Sequence, residues 1–304
     1  MKIFVTGAHG FIGSAVAAEL ARNGHQVTGL AHTDAAAQKL AAAGHGVHRG
    51  DVQDVASLKA GAAASDGVIH CGFIHDFARF AEVCEIDQIA IGALAEGLEG
   101  SNRPLLVSSG AALPTATGGL ITEESRVQEG PHVPPRVKTE LAIDAAAARG
   151  VRAGALRFPP TVHGAGDHGF IWMIGESAKQ AGRSAYVGEG ANRWPAAHRF
   201  DVGRMCRLAV ESSFAPGARF HAVAEEGVPF RDIATAIGKR LGLPTVSLTP
   251  AQATDHFGWM THFASADRPT SSALTRKVLA WNPVEIGLLA DIDAAYFDPA
   301  VPHG

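Results

Sequence analysis

The sequence predicts an α/β fold built on a doubly wound, mostly parallel sheet, and three observations lead there. Short apolar, β-branched runs alternate with alanine-rich helical stretches through the first half, as repeated strand–helix–strand units do. Three glycines, Gly7, Gly10 and Gly13, stand three residues apart where the first strand gives way to the first helix. The 304 residues are 46% hydrophobic and 18% charged, enough for a substantial core without a membrane composition.

The elements follow in order. Lys2 to Thr6 is apolar and β-branched and reads as the first strand, residues 11–23 as a helix closed near Gly24, and residues 26–31 as the second strand. An alanine-rich helix over 34–43, a short strand at Val47-His48, a helix over 55–64 and a buried strand over 67–71 come next. A long helix over 76–97 precedes a strand at 104–108 whose residues are almost continuously apolar, as a strand buried on both faces requires. Residues 110–135, rich in Gly, Thr and Pro, read as a loop or lid. A helix over 136–149 and a sixth strand over 151–158 complete a Rossmann-type domain, placed at residues 1–160. Beyond Pro159-Pro160 the spacing is less regular, with helices at 170–181, 201–212, 230–241 and 250–256. Residues 161–304 are therefore expected to form mainly a smaller substrate-binding part, with some segments returning to the first domain.

Composition excludes several classes of function. Thirty acidic and 26 basic side chains give a net charge of −4 with no cationic run, which argues against a nucleic-acid partner. No segment approaches ~18 uninterrupted apolar residues, so no membrane span is expected. Met1-Lys2 leads directly into a strand, leaving no room for a signal peptide. Cys71, Cys84 and Cys206 are far apart with no CxxC pair, so a reducing cytoplasm fits better than a disulfide framework. The 15 histidines are scattered without HExxH, and no metal site is expected.

The chemistry starts at Thr6-Gly7-Ala8-His9-Gly10-Phe11-Ile12-Gly13. Gly7 suits a tight turn, Gly10 the approach of a pyrophosphate, and Gly13 close helix–strand packing, while the backbone N–H groups at Phe11 and Ile12 face the anion. The segment resembles the TGxxGxxG of the extended short-chain dehydrogenase/reductase superfamily, the NAD-dependent epimerase/dehydratase type. Further similarities extend over most of the chain. Gly50-Asp51-Val52 resembles the adenine-contacting loop, and residues 68–72 the end of the fourth strand, with Cys71, Gly72 and Phe73 at the cofactor. Residues 107–110 resemble the active-site serine strand, and residues 156–164, with Pro159 and Val162, the nicotinamide-contacting strand end. Residues 197–202 and 279–283 are similar to later family segments. The resemblance implies a nicotinamide dinucleotide, a small-molecule substrate between two parts, and a homodimer through the helices at 76–97 and 136–149.

An acidic residue ending the second strand would bind a ribose 2′-hydroxyl and repel a 2′-phosphate. Ala31-His32-Thr33 stands there instead, with no arginine at the spot, so NADP is favoured over NAD, with His32, Thr33 and His9 as donors. Ser109 matches the family serine. The family's tyrosine and the lysine four residues later have no such match: if Lys138 is the lysine, the tyrosine position is Pro134; if Thr139-Glu140 occupies the Ser-Lys pair, the positions are Arg136 and Glu140. Proline has no proton to give, so the usual acid is missing. Tyr186, His75, His163 and His168 are the alternative donors, and Phe73, Phe77, Phe170, Trp172 and Trp194 are candidates for an apolar pocket. The leading expectation is an NADP-dependent oxidoreductase of carbonyl reductase or alcohol dehydrogenase type, acting on a small, mostly apolar substrate with a non-standard proton donor. A non-catalytic NAD(P)-binding sensor and a nucleotide-sugar epimerase or dehydratase are the alternatives.

Overall fold

The computed structural model describes residues 1–113, 119–127, 130, 134–294, 296 and 297. Its first half contains β1 (Lys2–Thr6), α1 (Phe11–Arg22), β2 (Gln26–Ala31), α2 (Asp34–Ala42), β3 (Gly46–Arg49), α3 (Val55–Ala63), β4 (Gly67–His70), α4 (Phe80–Leu98), β5 (Pro104–Gly110), α5 (Val137–Ala148) and β6 (Arg152–Phe158). The second contains β7 (Thr161–His163), α6 (Phe170–Ala181), β8 (Ser184–Val187), β9 (Arg193–His198), α7 (Arg199–Glu211), β10 (Ala218–His221), β11 (Glu225–Pro229), α8 (Phe230–Leu241), β12 (Thr245–Leu248), α9 (Pro250–Phe257), α10 (Thr261–Ser265), α11 (Ala273–Leu279) and α12 (Leu288–Ala294).

Seven parallel strands form the central sheet in the order β10-β6-β5-β4-β1-β2-β3. Strand order reverses between β1 and β4, and that switch point opens a crevice beyond the carboxyl ends of the strands. Successive residues of β1 serve opposite faces: Ile3 and Val5 join Val16, Leu20 and Met205 beneath α1 and α7, whereas Phe4 joins Leu58, Leu94 and Ile143 beneath α3, α4 and α5. Both faces of the sheet are therefore covered by helices, which explains its unbroken apolar strands. A third core, including Ile174, Trp194, Phe230 and Ile237, sits among α6, α8 and the small sheets β11-β9-β7 and β12-β8.

Several elements depart from the sequence reading. The helix expected at 76–97 starts at Phe80 after a 3-10 turn over Phe77–Arg79. Asp76 caps that turn by accepting from Ala78 N, so its side chain stops the helix there. β7 to β12 escaped the periodicity because none exceeds six residues. Strand β10 returns to the central sheet beside β6 although more than fifty residues separate them. Of the loop at 110–135, residues 114–118, 128–129 and 131–133 lie outside the described residues, while Ile121 is pinned to Thr270 by a parallel bridge.

A buried charge knot joins the late strand to the sheet. Glu140 on α5, fully buried, accepts from Arg157 on β6 at 3.0 and 2.8 Å and from Arg219 on β10 at 3.0 Å. Arg157 also donates to His221 Nε2, whose Nδ1 lies 2.8 Å from Ser271 O, an arrangement that requires the neutral Nδ1–H tautomer. Burial works against the Glu140 charge, but Arg157 and Arg219 prevail and hold its pKa down at about 2. Burial and then the Arg157 charge push His221 down to about 4.

Both groups bind fewer protons folded than unfolded, so their contribution is lost as pH falls. Stability is expected to decline from pH 6.5 toward 4 through His221 and from 4.5 toward 2 through Glu140, read by denaturant titration at each pH. Glu140→Gln is expected to cost about 3–5 kcal/mol at pH 7, because two buried guanidiniums lose their counter-charge; a loss below about 1 kcal/mol would contradict this account of the knot.

Candidate active site

A cleft of about 790 Å³ runs along the carboxyl ends of the strands. At one end are Gly7, Gly10, Phe11, Ile12, Gly13, His32, Asp51 and Val52; Cys71, Gly72, Phe73, Ser109, Pro159 and Val162 lie beyond them. These fourteen residues, all singled out in the sequence, thus line one cavity. Phe170, Met173, Trp194, His262, Phe263 and Arg268 contribute the walls supplied by the second half of the chain.

The glycine turn fits a pyrophosphate. Gly7 has φ +69°, and a Cβ there would lie 2.8 Å from the Cys71 carbonyl carbon and the Gly72 nitrogen. A Cβ on Gly13 would lie 2.1 Å from Gly7 O, so α1 can approach β1 this closely only without a side chain. No side chain caps α1 at Gly10, leaving the N–H groups of its first turn directed at the crevice. These residues would hold the diphosphate of a dinucleotide.

At the ribose end, the His9 and His32 rings lie 5.8 Å apart. Burial, then the charges of His32 and Lys39, lower the His9 pKa. Thr33 lies outside the cleft lining and caps α2, its Oγ1 accepting from Ala36 N at 3.1 Å, so only its O–H is left to donate. The sequence shows no arginine here, but β3 delivers one. Arg49 donates to Thr33 O at 2.8 Å and to the Asp34 carboxylate at 2.5 Å, placing a guanidinium beside the end of β2 and neutralising the nearest acid.

The structure places the residues of both registers left open at the missing tyrosine. Lys138 points away from the cleft and pairs with Glu85 at 2.6 Å, whereas Glu140 lies beneath Ser109 and Arg136 lines the cleft. In the register that pairs Arg136 with Glu140, one residue lines the cleft and the other lies under Ser109; Pro134 of the other register lines the cleft as well. Arg136 Nη1 donates to Asp87 Oδ2 at 2.8 Å and Thr139 Oγ1 at 2.9 Å, Nη2 donates to Ser108 O at 3.1 Å, and the guanidinium carbon lies 3.9 Å from the Phe73 ring centre. Asp87 is buried; burial opposes its charge, but Arg136 and His70 keep the carboxyl below its usual range. Gly72 N donates to Thr6 Oγ1, so the Thr6 hydroxyl gives its proton to His70 Nδ1 at 2.7 Å, and His70 Nε2–H donates to Asp87 at 3.1 Å. A continuous buried chain thus connects the cofactor cradle at Thr6 and Gly72 to Arg136.

Two other candidates for the catalytic groups, besides Lys138, lie outside the cleft lining. Tyr186 is on β8, packed against Gly190 and paired in register with Ser247. His163 is fully buried, with Nδ1 2.7 Å from Asp291 and its ring edge-on to His198 at 5.4 Å. Trp172 packs into the third core, while Phe73, Phe77, Phe170 and Trp194 do line the cleft. His75 and His168 face it as well; desolvation by the cleft walls, followed by the Arg136 and His168 charges, lowers the His75 pKa. Asp87, Arg49 and Arg268 were missed. Only Asp87 left a sequence signal, as a carboxylate on the otherwise apolar face of α4 formed by Val83, Ala90, Ile91 and Leu94. Among the described residues no helix is long and apolar enough to cross a membrane, and no cluster of three metal-ligating side chains occurs.

Glycine turn, parallel sheet and switch-point cleft together define a dinucleotide-binding α/β protein. The family profile for NAD dependent epimerase/dehydratases matches residues 3–221, and the chain belongs to that family. It is 47% identical over 298 residues to an uncharacterized protein of Schizosaccharomyces pombe, covering 98% of this chain and all of that one. It is 28% identical over 263 residues to the 2-alkyl-3-oxoalkanoate reductase of Stenotrophomonas maltophilia, covering 81% and 77% of the two chains. The dTDP-glucose 4,6-dehydratase DesIV of Streptomyces venezuelae, solved with NAD bound, shares the fold at a TM-score of 0.75 and 17% identity over 96% of this chain and 95% of that one.

Gly13→Ala is expected to abolish most of the thermal shift given by NADPH while the circular dichroism spectrum is retained. A shift of wild-type size would place the pyrophosphate elsewhere.

Proposed function

We propose that this chain is an NADP-dependent carbonyl reductase for a small, mostly apolar substrate, with Arg136 taking over the carbonyl oxygen from the family's tyrosine. One observation carries the reading: a guanidinium fixed by three hydrogen bonds, beside Ser109, at the nicotinamide-side wall of the cleft. Of its five N–H donors, two on Nη1 and one on Nη2 are occupied, so two remain for a substrate oxygen.

A bound nicotinamide would supply the hydride. Arg136 stabilises negative charge developing on the carbonyl oxygen, an electrostatic role that needs no titration at neutral pH. Asp87, Thr139 and Ser108 O hold the guanidinium in place, so little reorganisation is needed as charge appears. Ser109 lines the same wall, but its hydroxyl is buried over Glu140, which leaves Arg136 as the donor there. His75, kept neutral in the cleft, passes a proton from solvent to the alkoxide.

Lys39 and Arg49 bring positive charge to the end of β2, and the His9 and His32 rings are hydrogen-bonding groups there, which supports NADP. The aromatic walls support an apolar substrate. A nucleotide-sugar epimerase or dehydratase would use the same cofactor cleft but needs cations for a second diphosphate; Arg193 is committed to Asp267, and Arg199 to Ala165 O and Ser14. The 28% identical bacterial relative named a reductase of alkyl oxoalkanoates also favours reduction. We place the protein in the cytoplasm, where its three free cysteines would stay reduced, as a homodimer through the exposed faces of α4 and α5.

NADPH oxidation with a panel of apolar ketones and aldehydes tests the proposal. Arg136→Met is expected to lower kcat/KM by about 10²–10³-fold with NADPH affinity unchanged. Tight NADPH binding without turnover on the whole panel would favour the sensor reading. Arg49→Gln is expected to weaken NADPH binding by about tenfold and leave NADH binding unaffected; equal effects on both would overturn the 2′-phosphate assignment.

A further inference from the structure

The substrate end of the cleft contains a cation with no counter-charge in contact with it; Asp267 acts on it only from a distance. Arg268 lines the cavity beside Phe263, Trp194 and Ala266, and its guanidinium makes no hydrogen bond or ion pair among the described residues. Its chain neighbour Asp267 does not neutralise it at contact distance, because both carboxylate oxygens are held by Arg193 at 3.0 and 2.9 Å. Trp194 Nε1–H is likewise committed, to Phe263 O at 3.1 Å, so the wall around Arg268 presents ring surface rather than donors. The backbone is fixed on both sides: Arg268 N donates to Arg193 O, and Thr270 N to Glu226 O.

Permanent charge at this end of the cleft is mostly positive. The polar lining comprises the guanidiniums of Arg268 and Arg136 and the imidazoles of His75, His168 and His262, against one carboxylate, Asp167. Asp167 is occupied within the protein, accepting from Gly169 N at 2.8 Å and from the Tyr296 hydroxyl. Burial pushes its pKa up to about 7, which further reduces the negative charge there.

We infer that the substrate is an apolar carboxylate, an oxo acid with an aromatic or alkyl body, whose carboxylate pairs with Arg268 while its carbonyl oxygen meets Arg136. A guanidinium presents two parallel N–H groups that match a carboxylate, and aromatic walls lower the local dielectric, so the pair is stronger than at an open surface. A substrate diphosphate is the poorer fit, because it would require several converging cations and Arg268 is the one uncommitted guanidinium among the described cleft residues. The inference rests on the reductase reading for the position of the carbonyl, but the carboxylate site itself does not depend on turnover.

The test therefore separates binding from reaction. The protein saturated with NADP would be titrated with ω-phenyl carboxylates from phenylacetate to 5-phenylpentanoate, and with the matching neutral amides, following quenching of tryptophan fluorescence. At least one carboxylate is expected to bind about tenfold or more tighter than its amide, and Arg268→Gln to bring the two within about twofold. Arg268→Gln should keep the NADPH thermal shift, which confirms an intact fold. With phenyl-substituted oxo acids and their methyl esters, the same substitution should raise KM for the acid and leave kcat and the ester unaffected. Equal affinity for acids and amides, or an acid preference that survives Arg268→Gln, would overturn the inference even if neutral ketones are reduced. An Arg268-dependent acid preference without turnover would uphold the carboxylate site and remove the reductase reading instead.

Discussion

The active-site half of the cleft depends on the pairing of Arg136 with Asp87. A guanidinium at the mouth of a parallel sheet would ordinarily turn toward water; here a carboxylate from the apolar face of α4 draws it inward. Asp87 is itself tolerable only because His70, Thr139 and Arg136 together satisfy its two oxygens. Removing Asp87 would leave His70 Nε2 without its acceptor and Arg136 without its counter-charge. That interdependence makes the guanidinium rigid, and rigidity is what electrostatic stabilisation of an oxyanion requires.

A second buried charge lies one turn further along α5. Glu140 lies beneath Ser109 and turns away from the cleft toward Arg157 and Arg219. A carboxylate at this depth demands cations, and β6 and β10 supply them. The knot also joins β10 to α5, linking the late part of the chain to the sheet that forms the cleft floor.

The second half of the chain gives the cleft much of its aromatic wall. Phe77, on the 3-10 turn before α4, stacks on Trp259 at 4.7 Å, so an aromatic contact spans from the strand-end loops to the segment after α9. Beneath it, Phe170 packs edge-on to Trp194. Such walls exclude water and reward apolar ligands, while the interspersed arginines and histidines define where a ligand can hold negative charge.

The parallel sheet, the order of its first six strands along the chain and the glycine turn were legible because each rests on local signals: hydrophobic period, alanine-rich helices and glycines at a strand end. Fourteen of the residues read as site candidates converge on one cleft for the same reason, since strand ends in an open parallel sheet all point to one crevice. What the tertiary structure decided are the partnerships between distant segments. Arg49 reaches the end of β2 only because β3 pairs beside it; Asp87 meets Arg136 across forty-nine residues; Lys138 and Glu140, two positions apart on one helix, face outward and inward. Hydrophobic periodicity specifies which face of an element is buried. The partner a buried charge finds there depends on which other elements the fold brings alongside.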